Sequence, residues 1–171
     1  TDALQLALMA LEVGSGDAVF VPSFTFAATA EVVPATGAVP VFVDIDPASY
    51  NMDVASLKRA LRHARAEGLR PAVVIPVDLF GLPADYDAIA EVARAEAMKI
   101  VGDSAQGFGA LYKGRMTGTL ADITTTSFFP AKPLGCYGDG GAVFTDDAAL
   151  AALIDSLRIH GRWTEHPSYG K

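Results

Sequence analysis

Lys132 lies in the middle of an unusual stretch, SFFPAKPLGCYGDGG, which covers residues 127–141. Phenylalanines, prolines and small residues surround it. The sequence therefore predicts an apolar setting, in which a charged amine is costly unless it is neutralised or used. A lysine becomes a nucleophile toward carbonyl carbons when its surroundings keep part of its amine uncharged. The alternative is a loop lysine that lays its alkyl stem on apolar surface and keeps its amine in water.

Two polar side chains follow a second predicted strand. Asp103 ends the run KIVGD, and Gln106 comes three residues later. An acid in that place can hold the nitrogen of a pyridine ring protonated, and the glutamine can donate a hydrogen bond to a phenolic oxygen of such a ring. Taken separately, Asp103 is equally suited to capping a turn or a helix, and a lone glutamine in a loop indicates little.

Four further residues have types that suit a flat, phosphorylated ligand. Thr1 and Asp2 begin a predicted helix, and the free N–H groups of a helix N-terminus bind phosphate. Ser127 lies five residues before Lys132 and carries a hydroxyl that can contact a phosphate oxygen. Phe26 can stack on a flat ring. Each has an ordinary alternative: a simple N-cap, a common strand-end serine and a core aromatic residue.

Other candidate chemistries find little support. The three histidines show no metal-ligand spacing with acids or with Cys136, so we expect no metal site. GDGG lacks the following G-K-[ST] of a P-loop and is typical of a tight turn. Cys136 is the single cysteine, so no intrachain disulfide can form, which fits a reducing cytoplasm.

The bulk composition is that of a globular domain. The 171 residues are 51% hydrophobic and 19% charged, and the formal net charge is −7. This charge disfavours a nucleic-acid binder, although a local pocket can still take an anionic small molecule. No apolar run approaches the roughly 20 residues that span a bilayer, so we expect no membrane insertion.

Helical and strand patterns alternate along the chain. Helices are predicted at 2–12, 25–33, 53–68, 85–98 and 148–161, and strands at 18–23, 39–45, 71–81 with its exit loop, 99–105, 122–129 and 140–146. Short, continuously apolar strands between helices indicate an α/β fold of three layers (α/β/α), with a mostly parallel sheet covered on both faces. Ligands of such sheets bind beyond the carboxyl ends of the strands. Asp103 and the stretch 127–141 both fall there.

Several motifs together resemble a known family. TDAL, VPSFTFAATAE, PVFVDIDPASYNMD, IPVDLFG, GDSAQGFGALYKGR and TTSFFPAKPLGCYGDGGAVFTDD are similar, in this order, to the DegT/StrS-type sugar aminotransferases. The resemblance covers essentially residues 1–161. It implies the aspartate aminotransferase fold (fold type I) and the cofactor pyridoxal 5′-phosphate (PLP).

The resemblance also implies a role for each candidate residue. Lys132 matches the lysine that bonds covalently to the cofactor, and Asp103 matches the acid that pairs with the pyridine nitrogen. Gln106 matches the glutamine beside the phenolic oxygen. The remaining matches are Ser127, Thr1 and Asp2 as phosphate ligands and Phe26 as the aromatic ring that stacks on the cofactor.

Two residues depart from the family pattern. Ser104 stands where many members carry Ala, and Pro133 where many carry Asn. With proline at this position, the sequence resembles the branch of the family that aminates UDP-linked 3-keto sugars. Relative to the family, we expect residues 1–161 to be an incomplete large PLP-binding domain and 162–171 to begin the connection to a missing C-terminal domain.

The implied activity is transfer of an amino group from glutamate to a nucleotide-linked keto sugar, such as a UDP-3-oxo sugar or its uronic acid, for bacterial surface polysaccharide. The resemblance implies a cytoplasmic homodimer whose active site is shared between subunits. Relatives with His in place of the lysine act as dehydratases, so Lys132 favours transamination. Two alternatives stay open: a non-catalytic sensory or structural relative of the same fold, and a PLP enzyme acting on amino acids.

Overall fold

The computed structural model describes residues 1–162. Most of the predicted connection 162–171, including His166, lies outside the described residues. The helices are α1 (Asp2–Ala10), α2 (Ala28–Glu31), α3 (Val54–Ala66), α4 (Tyr86–Ala95) and α5 (Ala148–Leu157). The strands are β1 (Asp17–Pro22), β2 (Val39–Val43), β3 (Arg70–Val74), β4 (Lys99–Asp103), β5 (Leu111–Tyr112), β6 (Arg115–Met116), β7 (Ile123–Ser127) and β8 (Gly141–Phe144).

Six strands form one twisted sheet in the order β2-β1-β3-β4-β7-β8. All neighbouring pairs are parallel except β7 and β8, which run antiparallel. The mostly parallel sheet that the alternating pattern predicted is therefore confirmed. Within residues 1–162, no helix is both long enough and apolar enough to cross a membrane.

The sheet is covered on both faces, as expected for a three-layer fold. Strand β1 is buried along its whole length, and its side chains alternate between two cores. Val19 and Val21 join Leu8 of α1 in one core, and Phe20 joins Leu57 of α3 and Ile89 of α4 in the other. The continuous apolar run of β1 follows from this position, because a strand with helices on both faces has no solvated side.

Aspartates define where three helices begin. The carboxylates of Asp53, Asp85 and Asp147 accept hydrogen bonds from backbone N–H groups of the first turns of α3, α4 and α5. Each therefore satisfies a donor that has no partner within its helix. The helices predicted from 53, 85 and 148 consequently begin within a residue of their predicted starts.

One local prediction was wrong and one element was missed. The helix expected over 25–33 reduces to the single turn of α2 followed by a 3₁₀ turn (Pro34–Thr36). Pro34 accounts for the C-terminal end, because it has no N–H with which to continue the α-helical ladder. The hairpin β5–β6 was not predicted, since two-residue strands show no alternation. Its turn carries Lys113 and Gly114 at positive φ, 50° and 81°, which suits a two-residue hairpin.

Gly102, the residue before the last of β4, is predicted to tolerate an added side chain poorly. A Cβ at this position would lie 2.8 Å from the hydroxyl of Tyr86, which is buried. We expect Gly102→Ala to lower the free energy of unfolding by about 1–3 kcal/mol, the usual cost of overpacking. Urea denaturation measures this. Gly118→Ala is the matched control, because its nearest neighbour would be 4.0 Å away. Equal stability of the two variants would contradict the prediction.

Candidate active site

Lys132 lies on the connection between β7 and β8, beyond the carboxyl end of β7. Backbone hydrogen bonds fold this connection on itself: Cys136 N–H donates to Phe128 O and Lys132 N–H to Phe129 O, each at 2.8 Å. The side chain of Lys132 is half-buried. It lines an open cavity of about 430 Å³ together with Phe80, Gln106, Ala131 and Pro133.

The burial predicted for the surroundings of Lys132 is not found. Phe129 is 50% exposed and Leu134 is 53% exposed, and most of the connection is open to solvent. The stretch leaves the sheet after Ser127 and returns at Gly141, so it extends past the layers that cover the strands. Apolar composition alone does not require burial, and the prediction was wrong for this reason.

Asp103 ends β4 next to β7 and is buried. Its carboxylate accepts hydrogen bonds from Thr29 Oγ1 at 2.9 Å and from Ala105 N–H at 3.1 Å. Burial raises the pKa of this carboxyl, whereas these two hydrogen bonds and the positive charge of Lys132 oppose the rise. The acid is thus positioned by neutral donors, and no cation among residues 1–162 forms a direct ion pair with it.

Thr29 was missed at the sequence level. It lies three residues after Phe26, on the turn of α2, and is fully buried. A threonine buried in an otherwise apolar and small-residue helix needs a polar partner. That requirement was a signal in the sequence, although the identity of the partner was not.

Gln106 faces the same cavity as Lys132. Its carbonyl oxygen Oε1 accepts a hydrogen bond from Phe80 N–H at 2.9 Å. This bond fixes the side chain and leaves the amide NH₂ as its donor group. Phe80 itself has a φ of 55°, a conformation that non-glycine residues rarely adopt and that is common at functional sites.

The candidate phosphate ligands lie at one end of the sheet. Ser127 ends β7 and pairs with Gly141 of β8. A Cβ on Gly141 would lie 3.8 Å from Cβ of Ala3, so the first turn of α1 adjoins this pair. Thr1 is the N-cap of α1, yet its side chain makes no capping bond. Asp2 is exposed in the first turn, and Ser127 Oγ accepts from Phe129 N–H at 3.2 Å.

Phe26 is not a core residue, because it is 67% exposed. Its ring centroid lies 5.8 Å from Lys132 Nζ, so the ring and the amine face one another. A neighbouring group of exposed rings was not predicted. Phe24, Tyr50 and Phe80 contact one another with centroid separations of 5.8–6.3 Å.

Three basic residues outside the cavity have local partners. Lys113 is paired with Asp87, Arg158 Nε bonds to Asp155 at 2.7 Å, and Arg115 donates to a backbone carbonyl. All three lie on exposed surface. Among residues 1–162 there is no group of three or more His, Cys, Asp or Glu side chains that could hold a metal ion.

Comparison with known proteins identifies relatives over the whole chain. Residues 1–170 match the model of the DegT/DnrJ/EryC1/StrS aminotransferase family. A UDP-2-acetamido-2-deoxy-3-oxo-D-glucuronate aminotransferase of Pseudomonas aeruginosa is 50% identical over 95% of this chain and 44% of its own length. A UDP-N-acetyl-3-dehydro-α-D-glucosamine 3-aminotransferase of Acidithiobacillus ferrooxidans is 48% identical over 95% of the chain and 42% of its own length.

Solved structures agree with the sequence relatives. A DegT/DnrJ/EryC1/StrS aminotransferase from Brucella abortus superimposes with a TM-score of 0.94 at 53% identity, over 97% of this chain and 45% of that one. The PLP form of a sugar aminotransferase from Streptococcus pneumoniae superimposes with a TM-score of 0.81 at 32% identity, over 93% and 44%. The chain thus spans less than half the length of these relatives. It belongs to the DegT/DnrJ/EryC1/StrS aminotransferase family, whose aminotransferases depend on PLP.

Proposed function

We propose that the protein is a PLP-dependent aminotransferase that moves an amino group from glutamate to a UDP-linked 3-oxo sugar or its uronic acid. One observation carries the proposal. Lys132 and Gln106 line one cavity, and the charge of Lys132 acts on the buried carboxyl of Asp103. The chain that carries this arrangement is 50% identical to a relative named as an aminotransferase of a UDP-linked 3-oxo-glucuronate sugar.

The residues present fit PLP. A pyridine nitrogen needs an acid, and Asp103 is a buried acid with no direct cationic partner among residues 1–162. A phenolic oxygen needs a donor, and Gln106 retains its NH₂. A phosphate needs hydroxyl and N–H donors, which Ser127 and the start of α1 supply. The exposed ring of Phe26 offers a face for stacking.

Bound PLP supplies an electron sink for the carbanion that forms at the α-carbon of an amino donor. The chain's own residues do the rest. Asp103 holds the proton on the pyridine nitrogen, which keeps the sink effective. Lys132 Nζ, as a free amine, would act as the general base that takes the proton from the α-carbon of glutamate and as the general acid that returns it. In the second half-reaction the same amine moves a proton to C3 of the sugar.

We further propose the assembly and its setting. Phe24, Tyr50 and Phe80 form an exposed apolar patch beside the cavity, which fits a homodimer whose active site is shared. The single cysteine fits a reducing cytoplasm. Residues 1–161 would form part of the large PLP-binding domain, and 162–171 would lead toward a C-terminal domain. Production of bacterial surface polysaccharide, such as a lipopolysaccharide O-antigen, is the proposed use of the product.

The two half-reactions test the proposal separately. Full-length protein saturated with PLP is mixed with L-glutamate, and 2-oxoglutarate is quantified. We expect one equivalent per subunit without any sugar, because the scheme is ping-pong. Protein without PLP is the control. Release of no 2-oxoglutarate by folded, PLP-loaded protein would contradict the aminotransferase function.

The acceptor is tested next with the glutamate-treated enzyme. Candidate acceptors are 3-oxo and 4-oxo sugars linked to UDP, dTDP or GDP, and the amino-sugar product is detected by mass spectrometry. We expect the UDP-linked 3-oxo sugars to have the highest kcat/KM. A higher kcat/KM for a dTDP- or GDP-linked sugar would contradict the proposed substrate but leave the amino half-reaction in place.

A further inference from the structure

A second acid is buried behind the site, and the proposed amino transfer does not use it. Asp78 follows β3 and is fully buried. Its carboxylate accepts hydrogen bonds from Ser104 Oγ and, at 3.1 Å, from Ala84 N–H. The titratable groups that face it are Asp103 and the buried Tyr86. Within residues 1–162 no cation pairs with Asp78.

Ser104 opens the turn that carries the cofactor-facing residues. Gly107 N–H donates to Ser104 O at 3.2 Å, which closes a turn over residues 104–107. Asp103 directly precedes this turn, and Gln106 lies within it. Gly107 packs directly on Asp78, since an added Cβ would overlap the Cβ of that aspartate. Asp78 therefore contacts both ends of the turn.

Backbone bonds connect the same two segments. Asp103 N–H donates to Pro76 O at 2.9 Å, and Asp78 N–H donates to Asp103 O at 3.0 Å. Farther along, Phe80 N–H donates to Gln106 Oε1. The bond between Ser104 and Asp78 lies between these connections. It is the side-chain bond that ties the start of the turn to the segment behind it.

The partner of Ser104 is a buried carboxyl. Burial raises the pKa of Asp78, and the hydrogen bond from Ser104 opposes that rise. When the carboxyl is ionised, such a bond is charge-assisted and roughly twice as strong as a neutral one. An alanine at position 104 would leave the Asp78 oxygen without this donor.

We propose that Asp78 and Ser104 are positioning residues: their hydrogen bond holds the turn 104–107 and thereby sets where Asp103 and Gln106 meet the cofactor ring. This inference rests on the proposed function, because it assigns the pair to the PLP site. It predicts that losing the bond weakens cofactor binding, and not only folding.

The test compares two serine–aspartate pairs in the full-length protein. Ser104→Ala removes the pair at the site. Ser56→Ala is the matched control. The buried Ser56 likewise bonds an aspartate, Asp44, but it lies on α3 and not in the turn 104–107. PLP is titrated into each apoprotein and its dissociation constant and absorption maximum are recorded. The thermal midpoint of each apoprotein is measured alongside.

We expect Ser104→Ala to raise the PLP dissociation constant about tenfold, as expected when a buried acceptor is left without one hydrogen bond. Ser56→Ala should lower the thermal midpoint yet change the dissociation constant less than about twofold. A dissociation constant for Ser104→Ala within twofold of the wild type would overturn the positioning role. Wild-type protein that binds no PLP would instead overturn the proposed function, and the positioning role with it.

Asp78→Asn provides a second variant if Ser104→Ala does not fold. The amide keeps the shape and can still bond Ser104, but the bond is no longer charge-assisted. We expect a rise of about threefold in the PLP dissociation constant, smaller than that of Ser104→Ala. An unchanged constant in a folded Asp78→Asn protein would equally overturn the proposal.

Discussion

Lys132→Ala is expected to abolish amino transfer while leaving the fold intact. The variant loses the amine that moves a proton at the donor α-carbon, a contribution worth about 10²–10⁴-fold in rate. The side chain lies half-buried in an open cavity and makes no ion pair among residues 1–162, so its removal should cost little stability. The measurement is 2-oxoglutarate release from glutamate in single turnover.

Lys113→Ala is the matched control for this loss. It removes another lysine, one that is paired with Asp87 on exposed surface. We expect its single-turnover rate to stay within about twofold of the wild type, because surface pairs of this kind contribute little. Retention of more than a tenth of the wild-type rate by Lys132→Ala would contradict the role assigned to Lys132.

Asp103→Asn should have two opposite effects. It replaces a carboxylate by a neutral group of the same shape, so the pyridine nitrogen loses its acidic partner. Since a hydrogen bond to a charged group is worth about 1.5–3 kcal/mol, we expect the rate to fall about 100-fold. The apoprotein should become more stable, because the variant no longer buries a charge that is bonded only by neutral donors.

The gain in stability should depend on pH. Burial raises the pKa of Asp103 above its ordinary value of 3.8. Between pH 3.8 and this raised pKa, the folded apoprotein therefore binds more protons than the unfolded chain. The stability of the folded apoprotein therefore falls as the pH rises through that window. Above the window, the loss of stability from burying the ionised carboxylate is fully present. The difference in thermal midpoint between Asp103→Asn and wild type should grow from about pH 4 upward and then level off. Each kcal/mol corresponds to about 2–4 °C in a protein of this chain's length.

Asp46→Asn is the control for this pH dependence. Hydrogen bonds from Ser49 and Ala48 lower the pKa of Asp46, so its contribution is present at neutral pH and lost as the pH falls. Asp46→Asn should therefore give no gain at neutral pH. An Asp103→Asn apoprotein that is less stable than wild type at pH 7 would contradict the prediction, because it would mean that the surroundings of Asp103 favour its ionised form.

Much of the fold is predictable because a few residues fix it locally. Aspartates that cap α3, α4 and α5 mark the helix starts, and continuous apolar runs identify strands covered on both faces. The sequence did not predict the shortness of α2, because the helical pattern of 25–33 extends past both ends of the single turn that forms at Ala28–Glu31. The β5–β6 hairpin depends on backbone conformations at Lys113 and Gly114 that composition does not indicate.

The positions of some candidate site residues were likewise predictable from local sequence patterns. Strand ends locate Asp103 and the connection that carries Lys132, since both follow apolar runs. Partners that come from distant parts of the chain were missed. Thr29 lies 74 residues from its partner Asp103, and Asp78 lies 26 residues from its partner Ser104. Only the tertiary fold brings the members of each pair together. The expected burial around Lys132 was wrong, since it was inferred from composition and not from packing.

The most direct test of the central claim is the identity of the residue that bonds to PLP. Full-length protein is loaded with PLP, its visible absorption is recorded, and the complex is reduced with borohydride and digested for peptide mass spectrometry. We predict a visible band that disappears on reduction and a pyridoxyl group on the peptide that contains Lys132, both absent in Lys132→Ala. A folded protein with no visible band, or with the pyridoxyl group on another lysine, would contradict the assignment of Lys132.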